Sequence, residues 1–167
     1  MLTIRIATLD DLPRLHPVIE RAYRGEASRA GWTHEADLIE GARTDLETLG
    51  SIVADPAQRL LIAERADDTI GCVQISDRSG GLAYLGLLSV DPQLQAGGVG
   101  RQLLDAAERA AREVFGTERV EMTVIEQRAE LIAWYRRRGY SPSGETRDFP
   151  IALEPPLFMT VLVKPLV

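Results

Sequence analysis

VDPQLQAGGVGRQLLDAAERA, residues 90–110, puts three glycines into four positions where an apolar run gives way to helical spacing. Residues 82–90 (LAYLGLLSV) read as a strand. From Val99, residues Leu103, Leu104, Ala107, Ala110, Ala111 and Val114 recur at helical intervals. Arg101, Asp105, Glu108, Arg109 and Arg112 cover the opposite face, with Asp105/Arg109 and Glu108/Arg112 four residues apart. Between strand and helix lie Gln95, Ala96, Gly97, Gly98, Val99 and Gly100. Backbone without Cβ atoms lets an anion reach main-chain N–H groups, and the positive end of the following helix dipole attracts it. A tight turn alone also accounts for glycines at such a corner. Two nucleotide motifs fit poorly. In the dinucleotide fingerprint a third glycine should stand at Leu103, and a Walker loop needs Gly-Lys-Ser/Thr where Gly100 is followed by Arg101-Gln102.

The flanking sequence extends the pattern in both directions. Residues 3–8 (TIRIAT) alternate like a half-buried strand, and Asp10-Asp11 then precede Leu12, Leu15, Val18, Ile19 and Ala22 at helical spacing. A second helix is expected over residues 33–49, where Leu38, Ile39, Ala42, Leu46 and Leu49 fall on one face and Gly41 weakens the middle. Residues 60–64, 69–76 and 82–90, separated by turn signals, read as three successive antiparallel strands. Residues 119–125 form another strand. Leu131, Ile132 and Tyr135 share a face of a short helix that ends in Arg136-Arg137-Arg138-Gly139, with cations at its negative end and glycine at a left-handed cap. Residues 149–151 are expected to join a further strand, and 157–163 to form the last. The order is β-α-α-β-β-β-α-β-α-β-β, an α/β chain without repeats or linkers, read as one domain over residues 1–167.

Composition excludes several classes. The net charge of −6 argues against nucleic acid as a partner, because such proteins present a basic face to phosphate. A cationic partner is compatible with that bias. No run reaches the length of a membrane span, and the N-terminus lacks the layout of a secretion signal, so no membrane association and a cytoplasmic location are expected. One cysteine and two histidines cannot build the usual clustered zinc site, so no metal is expected.

The spacing Gln95-Ala96-Gly97-Gly98-Val99-Gly100 matches Q/R-x-x-G-x-G/A, and AELIAWYRRRGYSP (residues 129–142) resembles a second motif: an aliphatic helix face ending in Tyr, basic residues and Gly-aromatic. Together they resemble the GCN5-related N-acetyltransferase (GNAT) family over nearly the whole chain, most sharply between Leu82 and Tyr140. The resemblance implies a mixed, mostly antiparallel sheet, splayed where a coenzyme binds and flanked by about four helices. It implies acetyl-CoA as co-substrate, with its pantetheine arm along residues 87–90, where Leu88 and Val90 are the pairing positions. The diphosphate would sit on the amides of Gln95, Ala96, Gly97, Gly98, Val99, Gly100 and Arg101, and the Arg101 side chain either adds a contact or is simply exposed.

By the same resemblance Tyr135 faces the coenzyme sulfur as the acid, and the Leu88 amide polarises the thioester carbonyl. Relatives often carry a Glu on the strand that ends at the glycine loop; here residues 82–90 hold no carboxylate, leaving Glu35, Asp37 and Glu121 as unranked candidates for the base. Relatives often carry an Asn where the second motif's helix starts, and here Glu126-Gln127-Arg128 stands instead. Cys72, with no neighbouring His, does not suit a covalent route, so direct transfer in a ternary complex is expected. The acceptor, a small-molecule amine, is expected against Tyr23, Arg24, Arg29, Trp32 and Glu35, with the arginines suited to a carboxylate and the glutamate to an ammonium. A non-catalytic acyl-CoA sensor of the same fold is the alternative. The C-terminal run LFMTVLVKPLV belongs either inside the sheet or at the interface of a homodimer.

Overall fold

The computed structural model describes residues 1–24, 43–150 and 153–166; the side chains of Gln95 and Ala96 also lie outside the described set. In chain order come β1 (Leu2–Ile6), a 3₁₀ turn (Leu9–Asp11), α1 (Leu12–Tyr23), α2 (Leu46–Ala54), β2 (Gln58–Arg65), β3 (Asp68–Asp77) and β4 (Leu82–Val90). A second 3₁₀ turn (Pro92–Gly97) leads into α3 (Val99–Glu113), β5 (Arg119–Ile125), α4 (Ala129–Arg136), β6 (Ser141–Asp148) and β7 (Phe158–Pro165). The strands form one mixed sheet in the order β1-β2-β3-β4-β5-β7-β6. Among the described strand pairs β4 and β5 alone run parallel, because the α3 crossover joins them.

The two faces of the sheet bury separate cores. Val99, Leu103, Leu104, Ala107 and Ala111 of α3 pack with Tyr135 of α4 on Leu61, Val73, Ile75, Leu85 and Met122. Leu12, Leu15 and Ile19 of α1 and Leu49 and Ile52 of α2 pack on Leu60, Ile62, Cys72 and Leu87 from the other side. The alternation of β2, with Leu60 and Ile62 facing one way and Leu61 and Ala63 the other, feeds both.

A bulge in β4 interrupts that alternation. Gln74 pairs with Gly86 and Cys72 with Ser89, so Val73 alone faces Leu87 and Leu88. Leu87 takes φ +52, a conformation that costs an L-residue about 1 to 2 kcal/mol. Parity therefore switches: Ala83, Leu85, Leu88 and Val90 pack toward α3, but Leu87 packs toward α1. Side chains from the α1 face satisfy the displaced carbonyls. Leu87 C=O accepts from Cys72 Sγ (3.3 Å) and Ser89 Oγ (2.9 Å), and Leu88 C=O accepts from the Tyr23 hydroxyl (2.8 Å). Burial pushes the Cys72 thiol up to about 12, which makes it a hydrogen-bond donor rather than a nucleophile.

Two buried carboxylates tie elements together. Glu108 of α3 accepts from Tyr140 Oη (2.9 Å) and Lys164 Nζ (2.8 Å), joining that helix to the end of the second motif and to β7. Asp11 accepts from both Arg5 guanidinium ends (2.9 and 2.8 Å) and from Thr8 N (2.7 Å), locking β1 to the start of α1. The Arg5 hydrogen bonds hold the Asp11 carboxyl well below the usual range against the opposing effect of burial, with Thr8 assisting.

Two expectations need correction, and one left open is resolved. Residues 43–45 are not helical, and α2 begins only at Leu46, where Asp45 accepts from Thr48 N (2.7 Å). Leu46 is exposed rather than on a core face with Leu49, because the helix starts there instead of ending; residues 33–42 lie outside the described residues. The strand expected at 149–151 lies earlier, at Ser141–Asp148, whose nearly all-exposed polar side chains give no apolar alternation to read. β7 is enclosed by β5 and β6, so the C-terminal run is paired within the chain.

Replacing Glu108 with Ala should lower the unfolding free energy in denaturant titrations by about 2 to 3 kcal/mol, because it strips Lys164 and Tyr140 of a shared acceptor. A carboxyl depressed on folding stabilises above its unfolded pKa, and that contribution fades as pH falls toward the folded value. Stability should thus decline below about pH 5, and Asp11→Asn should flatten that decline.

Candidate active site

Pairing between β4 and β5 is confined to Leu82/Arg119, Ala83/Val120 and Tyr84/Glu121. Beyond Tyr84 the strands separate, and the gap opens into a cavity of about 330 Å³. Residues 84–88 of β4 and 122–125 of β5 form its sides, and Leu131 and Tyr135 of α4 enter from one face of the sheet. From the other face come Tyr23 at the end of α1, Arg24 and Arg43. Arg128, Phe149, Pro150 and Met159 complete the wall.

Tyr135 is positioned by aromatic packing. Trp134 meets it edge-on at 5.1 Å and Tyr140 at 5.8 Å. Its helix ends with Tyr140 N donating to Tyr135 C=O (3.2 Å) across Gly139 at φ +99. Burial pushes the Tyr135 phenol far above its ordinary value, Tyr23 adds to this, and Arg128 opposes it. At neutral pH the Tyr135 phenol keeps its proton.

The facing wall is built on Tyr23. Its ring lies 5.1 Å from the Arg43 guanidinium and 5.8 Å from that of Arg128. Arg43 reaches the cavity because the Glu20 carboxylate accepts from Arg43 N (2.7 Å) and Thr44 N (3.0 Å), while His16 Nε2 bonds Thr44 C=O (2.9 Å). Among the described lining residues none carries a carboxylate. Glu121 is engaged by Arg147 at 3.2 Å through both oxygens and is not among the described residues that line the cavity. Arg29, Trp32, Glu35 and Asp37 lie outside the described residues.

The glycine corner lies at the start of α3. Gly98 caps the helix at φ +77, where the backbone itself favours glycine. Gly97 and Gly100 are different. A Cβ on Gly97 would come no nearer than 4.0 Å to any atom, and one on Gly100 would make ordinary 3.7 Å contacts with Trp134 and Val90. The chain's own packing asks for neither glycine, whereas a ligand seated on the backbone would. Val99, fully buried, anchors the corner. Arg138 stacks at 4.2 Å on Trp134, the ring next to Gly100, and burial first, then Arg101 and Arg137, makes its guanidinium harder to protonate, with Asp105 opposing. A bare helix start of this kind suits an anionic group.

Of the residues expected at the site, Tyr135, Leu88, Tyr23 and Arg24 meet in one cavity. Arg43 and Arg128 were not singled out from the sequence. Arg128 had a signal, since it stands in the departure noted at the start of the second motif's helix. Arg43, inside the helix expected over residues 33–49 and off its apolar face, had none.

A profile of the Acetyltransferase (GNAT) family matches residues 16–140. An IAA acetyltransferase of Azospirillum brasilense is 34% identical over 101 residues, covering 60% of this chain and 63% of that protein. The ribosomal-protein-S18-alanine N-acetyltransferase of Escherichia coli superposes with a TM-score of 0.76 at 18% identity, over 99% of this chain and 94% of its own. A putative acetyltransferase of Salmonella typhimurium, solved with its cofactor acetyl-CoA, gives 0.75 at 18% identity, over 100% and 95%. These two establish likeness of fold, and the profile, spanning most of the sequence, places it: the chain belongs to the GNAT family of acetyltransferases.

Proposed function

We propose that the protein transfers an acetyl group from acetyl-CoA to the primary amine of a small molecule, directly, within one ternary complex. The observation that carries this reading is the cavity between β4 and β5, into which Tyr135 and the bulged backbone at Leu88 both project beside the bare corner at residues 97–100. The N–H groups from Gln95 to Arg101 hold the diphosphate, and the separated edge of β4, with Leu88 and Val90, guides the thioester inward. The Leu88 amide polarises the thioester carbonyl. As the amine nitrogen forms its bond to the acetyl carbon and the carbon–sulfur bond breaks, Tyr135 gives its proton to the departing sulfur. The proton released by the new amide returns to the Tyr135 oxygen through water. Tyrosine is ordinarily a weaker acid than a thiol by about 1.5 units, and burial widens the difference. Tyr135 therefore stabilises the thiolate by a hydrogen bond and transfers its proton late. The Leu88 carbonyl is held by Tyr23, which keeps the bulge in register while the reaction proceeds.

We place the enzyme in the cytoplasm; among the described residues no helix is long and apolar enough to cross a membrane.

Calorimetric titration with acetyl-CoA should show saturable binding, and amine-dependent thiol release should follow; absence of binding sinks the proposal. Tyr135→Phe should lower kcat by about 100-fold while the KM for acetyl-CoA stays close to that of the parent protein. Unchanged turnover would remove Tyr135 from the chemistry. Gly98→Ala should cost about 1 to 2 kcal/mol of stability through its positive φ, whereas Gly97→Ala should unfold at nearly the parent temperature yet bind acetyl-CoA more weakly. A Gly97→Ala protein with unaltered affinity would show that the diphosphate lies elsewhere.

A further inference from the structure

Among the described residues that line the acceptor side of the cavity, Arg24, Arg43 and Arg128 are the charged ones and none is a carboxylate. Resting on the acetyltransferase reading above, we infer that the acceptor is an amino acid or a close analogue, a small amine whose carboxylate is held by Arg43 across the cavity from Tyr135.

Arg43 has the properties of a carboxylate receptor. Its backbone is fixed through Glu20, so the side chain leaves from a defined point on the wall. Its guanidinium stacks on Tyr23, and no hydrogen bond or ion pair to a described carboxylate engages it. Stacking holds the planar group without using its in-plane N–H donors, which leaves the fork to match the two oxygens of a carboxylate. The Arg128 guanidinium lies 5.8 Å from the same ring.

An acceptor with only ammonium charge, such as a polyamine, has nothing to offer the Arg43 fork. An amino acid does, because its carboxylate meets the guanidinium in two parallel hydrogen bonds. A cavity of about 330 Å³ has room for a small acceptor beside the acyl end of the coenzyme.

The test is a comparison of the standard amino acids with their carboxamides and decarboxylated amines, read as kcat/KM from thiol release at saturating acetyl-CoA. At least one amino acid should exceed its carboxamide and its amine by about tenfold or more. Arg43→Gln should collapse that ratio, and Arg43→Lys, which keeps the charge but loses the fork, should recover part of it. A merely structural role for Arg43 would not shift selectivity between acid and amide. Should Arg43→Gln fail to fold, the parent protein's ratio decides alone. The inference is overturned if carboxamides or amines are used as well as the acids, if Arg43→Gln folds and leaves the ratio unaltered, or if a protein that binds acetyl-CoA acetylates no amino acid. Failure to bind acetyl-CoA, seen separately by calorimetry, would instead overturn the transferase reading.

Discussion

The parting of β4 from β5 after Tyr84 and Glu121 is the constraint on which the rest of the molecule turns. Two parallel strands joined through a helix would ordinarily stay paired along their length. Here three residue pairs hold them, and the bulge at Leu87 and Leu88 rotates the remainder of β4 out of phase. The strain of a positive φ at Leu87 is offset locally: Cys72 and Ser89 take one displaced carbonyl and Tyr23 takes the next. Removal of backbone pairing from β5 creates a slot open to both faces. Every side chain of the candidate site acquires its relevance from facing that slot.

The described lining of the cavity is cationic although the chain is not. A net charge of −6 is compatible with a cationic partner, yet Arg24, Arg43 and Arg128 line the cavity and no carboxylate does so among the described residues. Within a narrow, partly desolvated slot the nearest charges count most, and the distant acidic surface is screened by water and salt. The bare start of α3 adds main-chain N–H groups, which favour an anion without requiring a basic surface.

Much of the architecture was legible because its signals are periodic and local. Val99, Leu103, Leu104, Ala107 and Ala111 declared α3, and Val120, Met122 and Val124 declared β5, since a one-sided helix or strand must place its apolar residues at its own repeat. Ser141–Asp148 was illegible for the converse reason: an edge strand whose side chains nearly all meet water has no apolar repeat, and only its backbone pairing with β7 makes it a strand. The start of α2 was misread because Leu46 supplied an apolar residue at a helical interval where a capping aspartate, Asp45, in fact begins the helix. Within the site, Tyr135 and the glycine corner were visible as motifs, whereas Arg43 was not.

The amino-acid sequence alone determined the element order around the glycine corner, the pairing of that corner with a tyrosine-ended helix, and the family that both resemble, because these depend on residues close together in the chain. Tertiary structure alone decided that Tyr23, Arg43, Arg128 and Tyr135 share one cavity, that Glu121 forms an ion pair with Arg147, and that Leu88 presents a bulged rather than a regular backbone. Those outcomes depend on strand divergence and cross-sheet packing. No local sequence pattern encodes where two strands stop pairing.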